Sequence, residues 1–298
     1  MNRRGWSSKS LGSRLQHAIF YRLIRIGGWR LAYGLLFFVV LWHTLSPRVQ
    51  RRSLAYRKRR FPEAGGFALW LHCARLHAAF GKVLVDRAVA GISGHFSLRG
   101  SAADGELLKS LHAEGKGLIL LTGHVGCWQM AAKFLRETVD APVAILLHRE
   151  AGDNDRHFFE YAGQGEGITV ISPEGGVVSA VKLLQVLRGG GLVALMGDRA
   201  FDGDEYTERA PFMGGEIPLP YTAYRLASAS GAPVAVFFAY REKPLTARHE
   251  IVSVLRVPGR CGREGKAYMP YLRSFASALE EAAMRRPYQF FNFYDMWE

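Results

Sequence analysis

Residues 117–130, Gly117-Leu118-Ile119-Leu120-Leu121-Thr122-Gly123-His124-Val125-Gly126-Cys127-Trp128-Gln129-Met130, decide how the chain is organised. Leu118–Leu121 is a short, continuous apolar run, the pattern of a strand buried on both faces. Thr122 and Gly123 turn the chain, His124 follows, and the residues after it read as the start of a helix. Open α/β sheets place their ligands just past the carboxyl ends of such strands. An imidazole there is a candidate general base, because its unperturbed pKa of about 6.5 lies near neutrality.

The rest of the chain repeats this alternation. Pro142–Leu147, Ile168–Ile171, Leu192–Met196, Val234–Tyr240 and Glu250–Val257 read as strands. Asp104–Glu114, Val177–Leu187, Tyr221–Ser230 and Leu272–Met284 read as helices. Within residues 61–95, Phe67, Trp70, Leu71, Ala74 and Ala78 recur at helical spacing, which puts His72 and His77 on the surface of that helix. Gly197 to Gly215 reads as a loop rich in Gly and acids, and the aromatic run Phe290, Phe291, Phe293, Tyr294 and Trp297 as a buried strand or helix that closes the sheet. The fold class expected is α/β: a mostly parallel sheet covered by helices on both faces. Gly189-Gly190-Gly191 precedes a strand rather than following one, so it is not a dinucleotide fingerprint, and there is no Walker loop.

The 298 residues leave room for one such domain plus an attachment segment. The formal charge of +13 is concentrated at one end. Residues 1–60 hold 14 Lys and Arg and no acid, while the remainder holds 25 basic and 26 acidic residues. Such an end seeks an anionic partner. The 17 uncharged residues Leu31–Pro47 have no use in a nucleic-acid arm, which leaves an anionic membrane surface. They are near the lower limit of about 20 for a spanning helix. The alternative is an interfacial helix with Arg22, Arg25 and Arg30 along its polar face. Either arrangement brings Arg57-Lys58-Arg59-Arg60 to anionic lipid, at about 1 kcal/mol per charge. The basic cluster follows the apolar run, which puts the body on the cytoplasmic side. Residues 1–60 are thus expected to be an anchor and residues 61–298 the catalytic domain. Cys73, Cys127 and Cys261 show no metal-ligand spacing and read as free thiols in a reducing compartment.

Gly123-His124, with Trp128 and Gln129 behind it, resembles the signature of the bacterial lysophospholipid acyltransferase superfamily, and within it the lipid A late acyltransferase branch. The match continues in order through Gly197-Asp198-Arg199, Pro211-Phe212-Met213-Gly214, Pro218, Ser230-Gly231-Ala232-Pro233-Val234 and Trp297. The resemblance implies a donor that is an acyl carrier protein thioester and an acceptor that is the hydroxyl or amine of a membrane lipid or glycolipid. It also implies direct transfer with no cofactor, and a place at the bacterial inner membrane.

On that resemblance His124 takes the acceptor proton, and Gly123, Arg149, Asp198 and Arg199 line the substrates, with Asp198 able to support His124 electrostatically. The family pattern has Asp or Glu five residues after the histidine; this chain has Gln129. An amide cannot stabilise imidazolium as a carboxylate does, but it can accept a hydrogen bond from the ring and hold its tautomer. Residues five apart point about 140° apart on an ideal helix. Gln129 therefore reaches the ring only if His124 precedes the helix and Gln129 sits in its first turn. A literal H-x₄-D occurs at His148 to Asp153, in a polar loop, and is the weaker candidate. Cys127 reads as a packed small residue rather than a nucleophile. The alternative function is a membrane-bound acyl-lipid binding protein whose site has lost turnover, with Gln129 as its motive.

Overall fold

The computed structural model describes residues 14–130, 138–147, 168–200, 206–262 and 264–298. Its strands there are β1 (Ser97–Arg99), β2 (Leu118–Thr122), β3 (Val143–Leu146), β4 (Ile168–Ile171), β5 (Leu192–Met196), β6 (Thr207–Phe212), β7 (Gly215–Pro220), β8 (Val234–Lys243) and β9 (Thr246–Leu255). Its helices are α1 (Arg14–Thr44), α2 (Pro47–Arg52), α3 (Leu54–Arg60), α4 (Gly66–Ser93), α5 (Ala102–His112), α6 (Val177–Arg188), α7 (Thr222–Ser230) and α8 (Met269–Arg285).

Seven strands form one sheet in the order β1-β9-β8-β2-β5-β3-β4. Strands β8, β2, β5, β3 and β4 are parallel, β9 runs antiparallel to β8, and β1 follows β9. The mostly parallel sheet flanked by helices is therefore the fold observed. β2 sits at its centre with all five residues buried, which is why its sequence is apolar without alternation. From β2 the chain goes to β3, past β5; from β5 it goes to β8, past β2. Connections that leave adjacent parallel strands in opposite directions open a crevice between their carboxyl ends. That crevice lies between Thr122 and Met196, which are paired in register.

The segment after Gly197, expected to be a loop up to Gly215, contains instead the antiparallel ribbon β6–β7. Pro211, Pro218 and Pro220 hide it in the sequence, since a proline donates nothing to a ladder. A two-stranded ribbon has two open edges and tolerates them. Its turn is Met213-Gly214, with φ of 46° and 72°, the left-handed pair of a tight hairpin. Two contacts pin the ribbon to the body: Met213 N–H donates to Glu280 Oε2 at 2.7 Å and Trp297 Nε1–H to the Phe212 carbonyl at 3.0 Å. The aromatic C terminus is neither strand nor helix beyond the short turn Pro287–Gln289. It is an irregular strap that makes one bridge, Phe290 to Val125, and buries Phe290 and Phe291.

Within α1, Ile19–Thr44 is 26 residues long and apolar enough to cross a membrane. A kink at Gly28 (φ 66°, ψ −165°) interrupts the helix. Ala32 and Leu36 pack on Val85 and Val89 of α4, while Phe37, Phe38, Leu41 and Trp42 face outward. A buried polar node fastens the same helix. Asp86 of α4 accepts hydrogen bonds from the Tyr33 hydroxyl, from Arg241 Nε at 2.7 Å and from Leu245 N–H at 3.2 Å, and Arg241 Nη2 also donates to Tyr33 Oη at 2.8 Å. Of the basic cluster placed against lipid, Arg57 turns inward. It is buried and donates to Ser53 Oγ and to the carbonyls of Leu69 and Gln50, joining α2, α3 and α4; Lys58 and Arg59 stay exposed.

The two histidines of α4 also differ from the surface positions expected. His72 stacks on Phe61 at 3.7 Å and bonds the Tyr288 hydroxyl at 2.8 Å. His77 lies under Phe293 with Nδ1 at 3.0 Å from the Cys73 carbonyl. Burial pushes the His77 pKa down to about 4, with the charges of His43, Arg57 and Arg52 acting in the same direction and the Cys73 carbonyl opposing.

Two outcomes follow. Replacing Asp86 by Ala leaves the half-buried Arg241 guanidinium without its carboxylate and is expected to cost about 3 kcal/mol, the low end for a broken buried pair, measured as the loss in equilibrium unfolding free energy. Between pH 6.5 and about 4 the unfolded chain binds a proton at His77 that the native state refuses, so stability falls as pH falls through that window. The loss should total roughly 2–4 kcal/mol, and His77→Leu should remove that part of the slope in unfolding free energy against pH.

Candidate active site

Two neighbouring parallel strands end at the same level, and each is extended by a glycine and a polar residue. β2 continues into Gly123-His124 and β5 into Gly197-Asp198. The sheet pairing persists for one more residue, with Gly197 N–H donating to the Thr122 carbonyl at 2.8 Å. Because Thr122 pairs with Met196, His124 and Asp198 stand opposite each other two residues further on. A side chain at position 123 would strain this junction: a Cβ there would lie 3.0 Å from Leu279 Cδ1 and 3.3 Å from Asp198 Cβ.

The geometry that results is a histidine–carboxylate pair. His124 Nδ1 lies 3.0 Å from both Asp198 oxygens, and the His124 backbone N–H donates to Asp198 Oδ2 at 3.0 Å. One residue is thus held by the same carboxylate through its ring and its main chain. The His124 side chain is 12% exposed and that of Asp198 only 2%. Burial pushes the Asp198 carboxyl up, but the His124 charge and hydrogen bond, the Arg199 charge and the His124 amide outweigh it and hold the group below its ordinary value. Asp198 is therefore ionised at neutral pH. With Nδ1–H directed at it, Nε2 is the basic nitrogen of the ring.

After His124 the chain does not enter a helix at once. It crosses an irregular stretch and makes the short turn Trp128–Met130. Gly126 passes directly beneath β8 with φ 52°, and a Cβ there would meet the Ala239 carbonyl at 2.1 Å, so only glycine fits. Gln129 sits in the turn, after His124 and buried. The carboxylate at the ring comes from the next strand, Asp198, rather than from the residue five positions on. Trp128 packs 5.0 Å from the His124 ring and 5.9 Å from Phe291, giving the imidazole an aromatic wall. Arg199 turns toward the C-terminal strap, donating to the Phe291 carbonyl at 2.8 Å with its guanidinium over Tyr294. Cys127 is buried and its thiol is pushed up to about 12, chiefly by that burial, which removes it as a thiolate nucleophile near neutrality. Arg149 and the His148–Asp153 motif lie outside the described residues.

His124, Gly123, Asp198 and Arg199 therefore converge at one crevice, with Gln129 behind them. The cross-strand pairing of His124 with Asp198 is not written in any local spacing. The signal available in the sequence was that two apolar strands each end in Gly followed by a polar residue.

An apolar sheet centre, a strand-end imidazole on an ionised carboxylate and an aromatic wall make a site suited to taking a proton from a weak nucleophile. No curated protein matches the chain. The family model described as bacterial lipid A biosynthesis acyltransferase matches residues 83–298, which include the whole sheet and both members of the His124–Asp198 pair. The apolar α1 and this family both point to association with a membrane. The chain belongs to the bacterial lipid A biosynthesis acyltransferase family.

Proposed function

We propose that the protein transfers an acyl chain from an acyl carrier protein thioester to a hydroxyl or amine of a membrane lipid or glycolipid, with His124 as general base and Asp198 as the group that orients it. The hydrogen bond between His124 Nδ1 and Asp198 carries this reading. Membership of the family makes the protein an acyltransferase that acts on lipid A-like lipids; the donor, the base and the anchoring to the cytoplasmic face of the inner membrane are parts of the proposal.

In the reaction His124 Nε2 takes the acceptor proton as the acceptor oxygen or nitrogen attacks the thioester carbonyl. Asp198 stabilises the imidazolium that forms, as in other histidine–carboxylate pairs. The tetrahedral intermediate collapses, the carbon–sulfur bond breaks, and the thiolate takes the proton from imidazolium. A thiolate is a good enough leaving group that no covalent enzyme intermediate is needed. The amides of His124, Val125, Gly126 and Cys127 already donate to Asp198 Oδ2, Gly123 O, Gln289 O and Ala239 O. These four amides are therefore occupied and not offered to the oxyanion. Arg149 and Arg199 are assigned to the anionic groups of the substrates, and the exposed Lys58 and Arg59 to anionic lipid.

Purified full-length protein, incubated with an acyl carrier protein thioester and a membrane lipid extract, should form acylated lipid, which a binding-only protein would not. His124→Ala should abolish transfer while the protein remains in the membrane fraction; undiminished transfer would sink the assignment of the base. Asp198→Asn keeps shape and removes charge, and should lower kcat by about 10²–10⁴-fold, by analogy with the loss of the carboxylate from a catalytic triad. Gln129→Glu introduces the carboxylate at the position where the family pattern has it. Since Asp198 already holds the ring, the variant should keep transfer within roughly tenfold of the parent, well short of the about 10²–10⁴-fold that general acid–base catalysis contributes; a deeper loss would show that the amide itself is required.

A further inference from the structure

The loop that carries His124 is held by two segments remote from it in sequence. Cys127 N–H donates to the Ala239 carbonyl of β8 at 2.6 Å, and Gly126 makes a parallel bridge to the same residue. On its other edge, Gly126 N–H donates to the Gln289 carbonyl at 2.7 Å, and the His124 carbonyl accepts from Phe291 N–H at 2.8 Å. The loop thus lies between the end of β8 and the C-terminal strap, bonded to each.

One side chain joins the two sides. Gln289 Oε1 accepts the N–H of Arg241 at 2.7 Å, and Gln289 Nε2 donates to the carbonyl of that same Arg241 at 2.9 Å. A primary amide has the donor and acceptor of a peptide group, so it can pair with both main-chain groups of one residue as a neighbouring strand would. Gln289 spends its main-chain carbonyl on the His124 loop and its side chain on β8. The residue it grips, Arg241, is the one whose guanidinium enters the Asp86–Tyr33 node under α1. Its side chain is therefore committed to the anchor helices and its backbone to the strap.

We infer that Gln289 is a positioning residue, which closes the strap onto β8 and thereby fixes the loop that aims His124. The inference rests on the reading of His124 as the base. Removing the amide leaves the strap attached to the loop but not to β8. The His124 carbonyl and the Gly126 amide then follow the strap. A catalytic group displaced by about 1 Å loses on the order of a hundredfold in rate, whereas no residue assigned to substrate binding is altered by the substitution.

The test uses the full-length protein in detergent micelles, with Gln289→Ala, Gln289→Glu and, as a control remote from the site, Lys109→Ala on α5. Hydrogen–deuterium exchange of peptides covering residues 123–130 is followed together with kcat and KM for an acyl carrier protein thioester. For Gln289→Ala the expected result is exchange at least tenfold faster in that segment alone, kcat lower by 10–100-fold and KM within twofold. Gln289→Glu keeps an acceptor for Arg241 N–H but turns a carboxylate oxygen toward the Arg241 carbonyl, and kcat should fall at least as far. Lys109→Ala should match the parent in every readout. Unchanged exchange and kcat in Gln289→Ala would overturn the inference, as would faster exchange spread over all helices, which marks a general loss of stability. If the parent shows no transfer, the reading of the base falls, and the exchange measurement still judges the clamp on its own.

Discussion

The site exists because β2 and β5 are parallel, adjacent and in register. Thr122 faces Met196, and from that single alignment His124 and Asp198 arrive at the same level without either strand bending. Antiparallel neighbours would put the two residues at opposite edges of the sheet. A slip by one residue would turn the carboxylate to the other face. The buried, two-sided apolar character of both strands fixes this register, since every residue of β2 and nearly every residue of β5 packs in the core. The geometry of the His124–Asp198 pair is in this sense a by-product of hydrophobic packing.

Register alone brings the two side chains together but does not hold the loop beyond them. That task falls to long-range main-chain bonds from β8 and from the last ten residues of the chain, and to Arg199, which returns from the end of β5 to the Phe291 carbonyl. The strap therefore completes the carboxyl edge of the sheet. Its aromatic residues have a double use: Phe290 and Phe291 are core, and Phe291 also backs Trp128, which walls the imidazole.

The parts legible in the sequence are those set by local burial. The apolar run at Leu118–Leu121 announced a central strand, and the strand ends at His124 and Asp198 announced themselves as candidate chemistry. Three features were not legible. The ribbon β6–β7 is masked by Pro211, Pro218 and Pro220, which argue against a strand unless its edges are open. His77 and Arg57 sit in polar, helical contexts that suggest solvent; only the packing of α4 against the strap and against α2 and α3 half-buries His77 and buries Arg57. The third is that Asp198, expected to line the substrates and lend the ring electrostatic support, is the hydrogen-bonded partner of His124. Spacing along the chain points to position 129, whereas the carboxylate at the ring comes from a neighbour in space 74 residues away. Pairings across strands follow from sheet order, and sheet order follows from crossovers that leave no local trace.

The helix α1 has two unlike faces, an outer one of Phe37, Phe38, Leu41 and Trp42 and an inner one that joins Ala32, Leu36 and Tyr33 to α4 and Arg241. The inner face makes this apolar helix part of the folded body rather than a tether tied to it. A chain cut after Thr44 would uncover Val85 and Val89 and deprive Asp86 of a hydroxyl partner, so it would not be a smaller soluble enzyme but a damaged one. The same attachment fixes the helix in azimuth: it cannot spin about its axis without breaking the node. The orientation of the sheet relative to α1 is accordingly set once, by folding.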